Sequence, residues 1–124
     1  MARTIRQLTA EERQQFDPTR NLANVLSTER WKRARARLSA LVLTLRKEFG
    51  AKRIVLFGSL TQKEAFTRWS DIDLAAWGIA PERFYEAVVR LNDLSPEIKV
   101  DLVDPERCQS AALNQIIQEE GKEV

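Results

Sequence analysis

Between Ile54 and Trp77 the chain changes character three times in 24 residues. Four apolar residues, Ile54-Val55-Leu56-Phe57, are stopped by Gly58-Ser59. Eleven residues follow, from Leu60 to Ser70, and then Asp71-Ile72-Asp73-Leu74-Ala75-Ala76-Trp77 alternates acid with apolar at its start. The first run has the length and β-favouring composition of one buried strand. Leu60 to Phe66 has helix-forming composition, so the stretch reads as strand, small-residue turn, helix start. That order aims backbone N–H groups and a positive dipole end at an anion, often a phosphate. In the second strand side chains alternate faces, so Asp71 and Asp73 point one way while Ile72 and Leu74 enter the core. Two carboxylates side by side repel, and a divalent cation such as Mg²⁺, which also takes phosphate oxygens, relieves the repulsion. Gly58-Ser59 alone reads as a plain turn. Joined to Asp71 and Asp73 it reads as a nucleotide site.

Composition narrows the chemistry further. A chain of 124 residues suits one domain that buries about two-thirds of its unfolded surface. With no histidine, Ser-His-Asp triads, Cys-His dyads and His-rich zinc sites are excluded. Carboxylates, hydroxyls, Lys, Arg and metal remain. The single cysteine, Cys108, cannot close an internal disulfide and is expected as a small semi-buried residue of a cytoplasmic protein. Arg3, Arg6, Glu11, Glu12 and Arg13 interrupt any signal-peptide core, and the apolar runs are too short to cross a membrane.

The net charge of +2 is unevenly placed: residues 1–57 carry +8 and residues 58–124 carry −6. Much of the basic excess sits at Arg30, Lys32, Arg33, Arg35 and Arg37. This face is either solvated or a docking surface for an acidic partner, and with little aromatic interleaving a protein suits it better than a nucleic acid.

Along the chain, Thr9-Ala10-Glu11-Glu12 is a capping box that predicts a short helix from Thr9 to about Phe16. Residues 1–26 read as an N-terminal arm, and residues 27–124 as the folded domain. A helix is expected from Ser27 or Thr28 to Gly50, with Trp31, Ala34, Leu38, Leu41, Val42, Leu45 and Phe49 on its buried stripe. After the Gly58–Trp77 stretch, Gly78 turns the chain and Pro81 opens a helix whose buried stripe is Phe84, Ala87, Val88 and Leu91. Leu94-Ser95-Pro96 ends it. Trp69, just before Ser70-Asp71, either packs its loop, the reading preferred here, or lies against the nucleotide.

Glu97 to Val103 reads as a third strand, with Ile98, Val100 and Leu102 on one face and Lys99, Asp101 and Val103 on the other. Asp101 is then either a third carboxylate beside Asp71 and Asp73 or an ordinary solvent-facing residue. Asp104, before Pro105, reads as a turn or cap residue. A last helix is expected from Ser110 to Glu120, with Ala112, Leu113, Ile116 and Ile117 inward. The fold class is α+β: a small mixed sheet flanked by helices.

The Gly-Ser turn, the spacer and Asp-x-Asp resemble the signature of the polymerase-β-like nucleotidyltransferases over roughly residues 50–121. The short chain and the wording F-G-S…W-S-D-I-D-L look like the minimal nucleotidyltransferases (MNT), the antitoxins of HEPN/MNT toxin–antitoxin pairs. The resemblance implies that Asp71, Asp73 and Asp101 bind two Mg²⁺ ions, with Asp101 also the general base. It further implies that Gly58 and Ser59 hold the triphosphate of ATP. The spacer departs from the usual Gly-Ser-x-Ala-Arg-Gly: Gln62 stands where Arg is expected and Lys63 where Gly is expected. Lys63 or Arg68 is left to supply the missing positive charge. The implied partner is a HEPN ribonuclease, AMPylated on a tyrosine hydroxyl and so silenced. The alternatives are an antitoxin that works by binding alone, or a transferase acting on RNA ends or a small hydroxylated molecule.

Overall fold

The computed structural model describes residues 18–108 and 110–124. The capping-box helix expected at Thr9 lies outside them. The first described element is a long helix, α1 (Pro18–Lys47), which therefore starts before Ser27. Proline is well suited to a first helical turn, and residues 20–26 contain no glycine or proline to interrupt the helix. Arg46 and Lys47 place positive charge on its last turn. Gly50, at φ +70°, then lets the chain turn back, and the Ala51 amide donates to the Leu45 carbonyl at 3.0 Å.

Two strands follow, β1 (Arg53–Phe57) and β2 (Ile72–Trp77), then α2 (Phe84–Leu94), β3 (Val100–Val103), α3 (Ala111–Glu120) and the two-residue β4 (Lys122–Glu123). The sheet order is β3-β2-β1-β4. β1 runs antiparallel to β2 and to β4, whereas β3 lies parallel to β2. β4 was not expected, because two exposed residues carry no hydrophobic period. It is held by the Val124 amide donating to the Ile54 carbonyl at 3.1 Å and by an ion pair between Arg53 and Glu123.

One face of the sheet (Ile54, Leu56, Ile72, Leu74, Ala76, Val100 and Leu102) packs on α1 and α2 through Ala34, Leu38, Leu41, Leu45, Ala87 and Leu91. The expected α1 stripe is therefore the core. The opposite face is covered by α3 only in part, where Val55, Phe57 and Ala75 meet Ile117 and Leu113. Ile116, expected inward, is exposed. Ser110 caps α3, its side-chain oxygen accepting from the Leu113 amide at 3.2 Å. The uncovered part of this second face bears the carboxylates. Among the described residues no helix is long and apolar enough to cross a membrane.

Candidate active site

Strand alternation and register bring the acids together. Ile72 and Leu74 are fully buried, which turns Asp71 and Asp73 to the opposite face. Asp73 lies directly across from Phe57 on β1 and from Asp101 on β3. Burial pushes the Asp73 carboxyl up to about 6; the charges of Asp101 and then Asp71 push the same way, and Lys99 opposes them. Lys99 Nζ lies 3.3 Å from an Asp101 oxygen.

The Gly58 turn closes the other side. Gly58 has φ +76°, and a Cβ built there would stand 3.1 Å from Asp73 Cγ and well inside contact distance of Oδ2. The turn backbone therefore lies against the carboxylate, as only glycine allows. No α-helix follows it. Gly58–Thr61 and Lys63–Ala65 are two short 3₁₀ turns separated by an extended Gln62. The cause is tertiary: Leu60 and Phe66 are both fully buried, and a spacing of six residues puts them on different sides of an α-helix. Thr61 also donates its hydroxyl to the Gly58 carbonyl at 2.7 Å, closing the first turn on itself. Phosphate binding here would rest on local amides and the Ser59 hydroxyl, with little help from a helix dipole.

Hard oxygen donors on a half-buried face fit Mg²⁺, which takes one or two carboxylates and completes its shell with phosphate oxygens and water. Among the described residues no three acidic or thiol side chains close around a single ion position. The arrangement thus suits an ion held jointly with a phosphate-bearing substrate more than a preformed all-protein cage.

The supports of this site come largely from α1 and α2. Arg30 donates to the Ser70 carbonyl, next to Asp71, at 3.0 Å and to the Glu97 carbonyl, ahead of β3, at 3.4 Å; its Nε is buried without a partner. The neighbouring Trp31 donates its indole N–H to the Leu60 carbonyl at 3.2 Å. Two consecutive residues thereby tie down both the turn and the acid-bearing loop. Asn92 on α2 seals the free edge of β3, its amide donating to the Val100 carbonyl at 3.0 Å and its carbonyl accepting from the Val100 amide at 2.9 Å. Sequence reading missed Asn92, whose only signal was an amide on a helix next to the third strand.

The basic face of α1 is largely spent within the molecule, because 30, 33 and 37 share one side of the helix. Arg33 faces the Glu97 carboxylate at 3.9 Å, and Arg37 donates to the Leu94 carbonyl at 2.9 Å. Lys32 pairs with Glu29, and Arg35 lies over the Trp31 ring. Asp104 is a turn residue as expected, buried and accepting from the Glu106 amide at 3.0 Å. Cys108 is free and half-buried.

Lys63 lines a hollow of about 330 Å³ with Ser27, Thr28, Glu64, Phe66 and Thr67, a hollow that none of the three carboxylates lines. Arg68 stacks over the Trp69 ring at 4.9 Å. Trp69 does not pack its loop: it is 78% exposed, since the buried anchor there is Phe66. A cation not singled out from sequence, Lys122 on β4, also reaches the turn, with Nζ 3.5 Å from the Thr61 carbonyl.

Residues 40–124 match the family described as polymerase beta, nucleotidyltransferase. No curated protein matches the chain in sequence. Among solved structures, the chain is similar to a substituted form of the toxin–antitoxin complex MntA–HpeT, at 29% identity and a TM-score of 0.57, covering 69% of each chain. It is similar to a structure of tri-AMPylated Shewanella oneidensis HEPN toxin in complex with MNT antitoxin, at 26% identity and a TM-score of 0.55, covering 73% of this chain and 70% of that one. A toxin–antitoxin structure with AMP-PNP is similar at 27% identity and a TM-score of 0.55, covering 68% and 69%. With the family matched over more than half its length, and a four-stranded mixed sheet carrying the acids, the chain belongs to the polymerase-β-type nucleotidyltransferases.

Proposed function

We propose that this chain is an antitoxin that transfers AMP from ATP to a tyrosine hydroxyl of a partner HEPN ribonuclease and so neutralises it. The observation that carries the reading is the Asp73 carboxylate. It is half-buried, repelled by Asp101 and Asp71, and pressed against the Gly58 turn. A carboxyl whose burial and like-charged neighbours are only partly offset, here by Lys99, is found at functional sites more often than elsewhere. One similar solved structure supports a HEPN protein as the acceptor, because it holds a tri-AMPylated HEPN toxin in complex with an MNT antitoxin.

In this reading Gly58 and Ser59 hold the β- and γ-phosphates. Asp71, Asp73 and Asp101 would be the residues that hold Mg²⁺. When bound, the ions supply charge neutralisation on the transferring oxygens. Asp101 takes the proton of the tyrosine hydroxyl as its oxygen bonds to the α-phosphorus. The bond from that phosphorus to the bridging oxygen breaks, and pyrophosphate leaves with the electron pair. Little covalent chemistry is asked of the chain, so positioning dominates.

Incubation with labelled ATP, Mg²⁺ and the protein encoded by the neighbouring reading frame tests the reading. The partner is expected to become labelled, and an Asp71→Asn/Asp73→Asn double variant to label nothing. The short 3₁₀ turn, which offers no α-helix dipole to a phosphate, favours a second reading, neutralisation by binding alone. Full neutralisation by the double variant, with no label transferred by the wild-type chain, would establish that reading and remove the first.

A further inference from the structure

Trp69 and Tyr85 are the most exposed large aromatic residues described, each at 78%. Tyr85 lies on α2; Trp69 sits two residues before Asp71 in a loop closed by its own hydrogen bonds. The Thr67 amide donates to Ser70 Oγ at 2.9 Å, the Trp69 amide to Thr67 Oγ1 at 3.2 Å, and the Ser70 amide to the Thr67 carbonyl at 3.1 Å. Arg30 grips the Ser70 carbonyl from beneath, and buried Phe66 anchors the loop's start. The Arg68 guanidinium covers one face of the indole at 4.9 Å. An exposed indole gains little in water, whereas tryptophan and arginine are the residue types that dominate binding energy at protein interfaces. Held in place before any encounter, the pair would lose little freedom on binding.

We propose that Trp69 and Arg68 form the rim contact on which the acceptor-bearing partner protein docks, Trp69 entering an apolar recess and Arg68 meeting a carboxylate. The inference rests on the proposed function in one respect, that the acceptor hydroxyl arrives on a protein. The geometry then follows. The hydroxyl must come within about 3–3.5 Å of the α-phosphorus beside the acids. Even a small specific interface covers roughly 600 Å² on each partner, a disc of about 14 Å radius. Trp69 lies two Cα–Cα steps from Asp71, so no more than about 7.6 Å separates their backbones. Trp69 therefore lies within the radius of an interface centred on the acids. A nucleotide's base is the competing occupant of the indole's open face, and the experiment separates the two.

Affinity of the chain for the protein encoded by the neighbouring reading frame is measured by calorimetry, and affinity for a non-hydrolysable ATP analogue with Mg²⁺ is measured in parallel. Trp69→Ala is expected to weaken the protein complex at least 30-fold and Arg68→Ala by three- to tenfold, corresponding to hot-spot and charged rim contacts. Trp69→Phe should retain most of the affinity, and Tyr85→Ala should change it less than twofold. The nucleotide affinity of the Trp69 and Tyr85 variants should stay within twofold of wild type. Iodide quenching gives an independent reading: the partner should protect the exposed indole, and the ATP analogue alone should not. Unchanged partner affinity in Trp69→Ala, or protection by the nucleotide alone, overturns the docking inference. A wild-type chain that binds no such partner removes the proposed function itself, whereas a Trp69-dependent complex that never transfers AMP leaves the docking site standing.

Discussion

Gly58 offers the sharpest separation between folding and chemistry. Replacing it with alanine places a Cβ 3.1 Å from Asp73 Cγ and in overlap with Oδ2, at a backbone φ of +76°. The left-handed conformation alone costs a non-glycine residue about 1–2 kcal/mol. Gly50→Ala is the matched control, because Gly50 has φ +70° and nothing within 4 Å of a built Cβ. Both variants should therefore lose about 1–2 kcal/mol, or roughly 4–10 °C in melting temperature. They should part in activity. At Gly58 the Asp73 carboxylate must retreat by roughly 1 Å to restore ordinary contact distances. A displacement of that size in a positioned catalytic group costs about 10²-fold in rate, equivalent to about 2.7 kcal/mol of barrier. The assay is AMP transfer to the HEPN partner, with melting followed by circular dichroism. Equal activity in the two variants, or a Gly58→Ala rate within threefold of wild type, would refute the claim that the turn is packed on a working carboxylate.

Three further outcomes are expected. Arg30→Met releases the Ser70 and Glu97 carbonyls and should lower kcat about tenfold with little change in KM for ATP, as a lost positioning contact does; Arg30→Lys should recover only part of it, and a shift confined to KM would contradict the role. The Asp73 carboxyl is raised from 3.8 to about 6 on folding, so between those pH values the folded chain holds the extra proton. Stability in the absence of divalent ions should then fall as pH rises through that window, by about 1–2 kcal/mol once solvent screening is allowed for. Asp73→Asn should abolish that slope in urea titrations at pH 4.5 and 7.5 and be the more stable protein at the higher pH, and an unchanged slope would refute the assignment. Asn92→Leu strips both backbone partners from Val100 and should destabilise the fold by about 2–3 kcal/mol in urea unfolding; a loss below 1 kcal/mol would show that water replaces them.

The parts legible in the sequence were those written in short periods. Ile72 and Leu74 alternate with Asp71 and Asp73, so their faces could be read, and the apolar stripe from Ala34 to Phe49 could be read the same way. What was lost depends on where distant residues end. Leu60 and Phe66 suggested a helix, but both are drawn into the core, and the chain between them breaks into two turns. Arg30, Arg33 and Arg37 looked like a free basic face, because nothing local shows that carbonyls of the Leu94–Glu97 turn and Ser70 lie beneath them. Trp69 is the converse, an indole expected inside and found outside because Phe66 anchors its loop instead. The sequence leaves Asp101 between solvent and site, because only the parallel register, which sets it across from Asp73, brings it near the other acids.

The account is tested most directly by the intact mass of the HEPN partner after incubation with ATP, Mg²⁺ and this chain. It predicts a partner heavier by one or more AMP groups with the wild-type chain, and an unchanged mass with Asp73→Asn at equal occupancy of the complex. A partner that stays unmodified while fully bound and neutralised by the wild-type chain would contradict it.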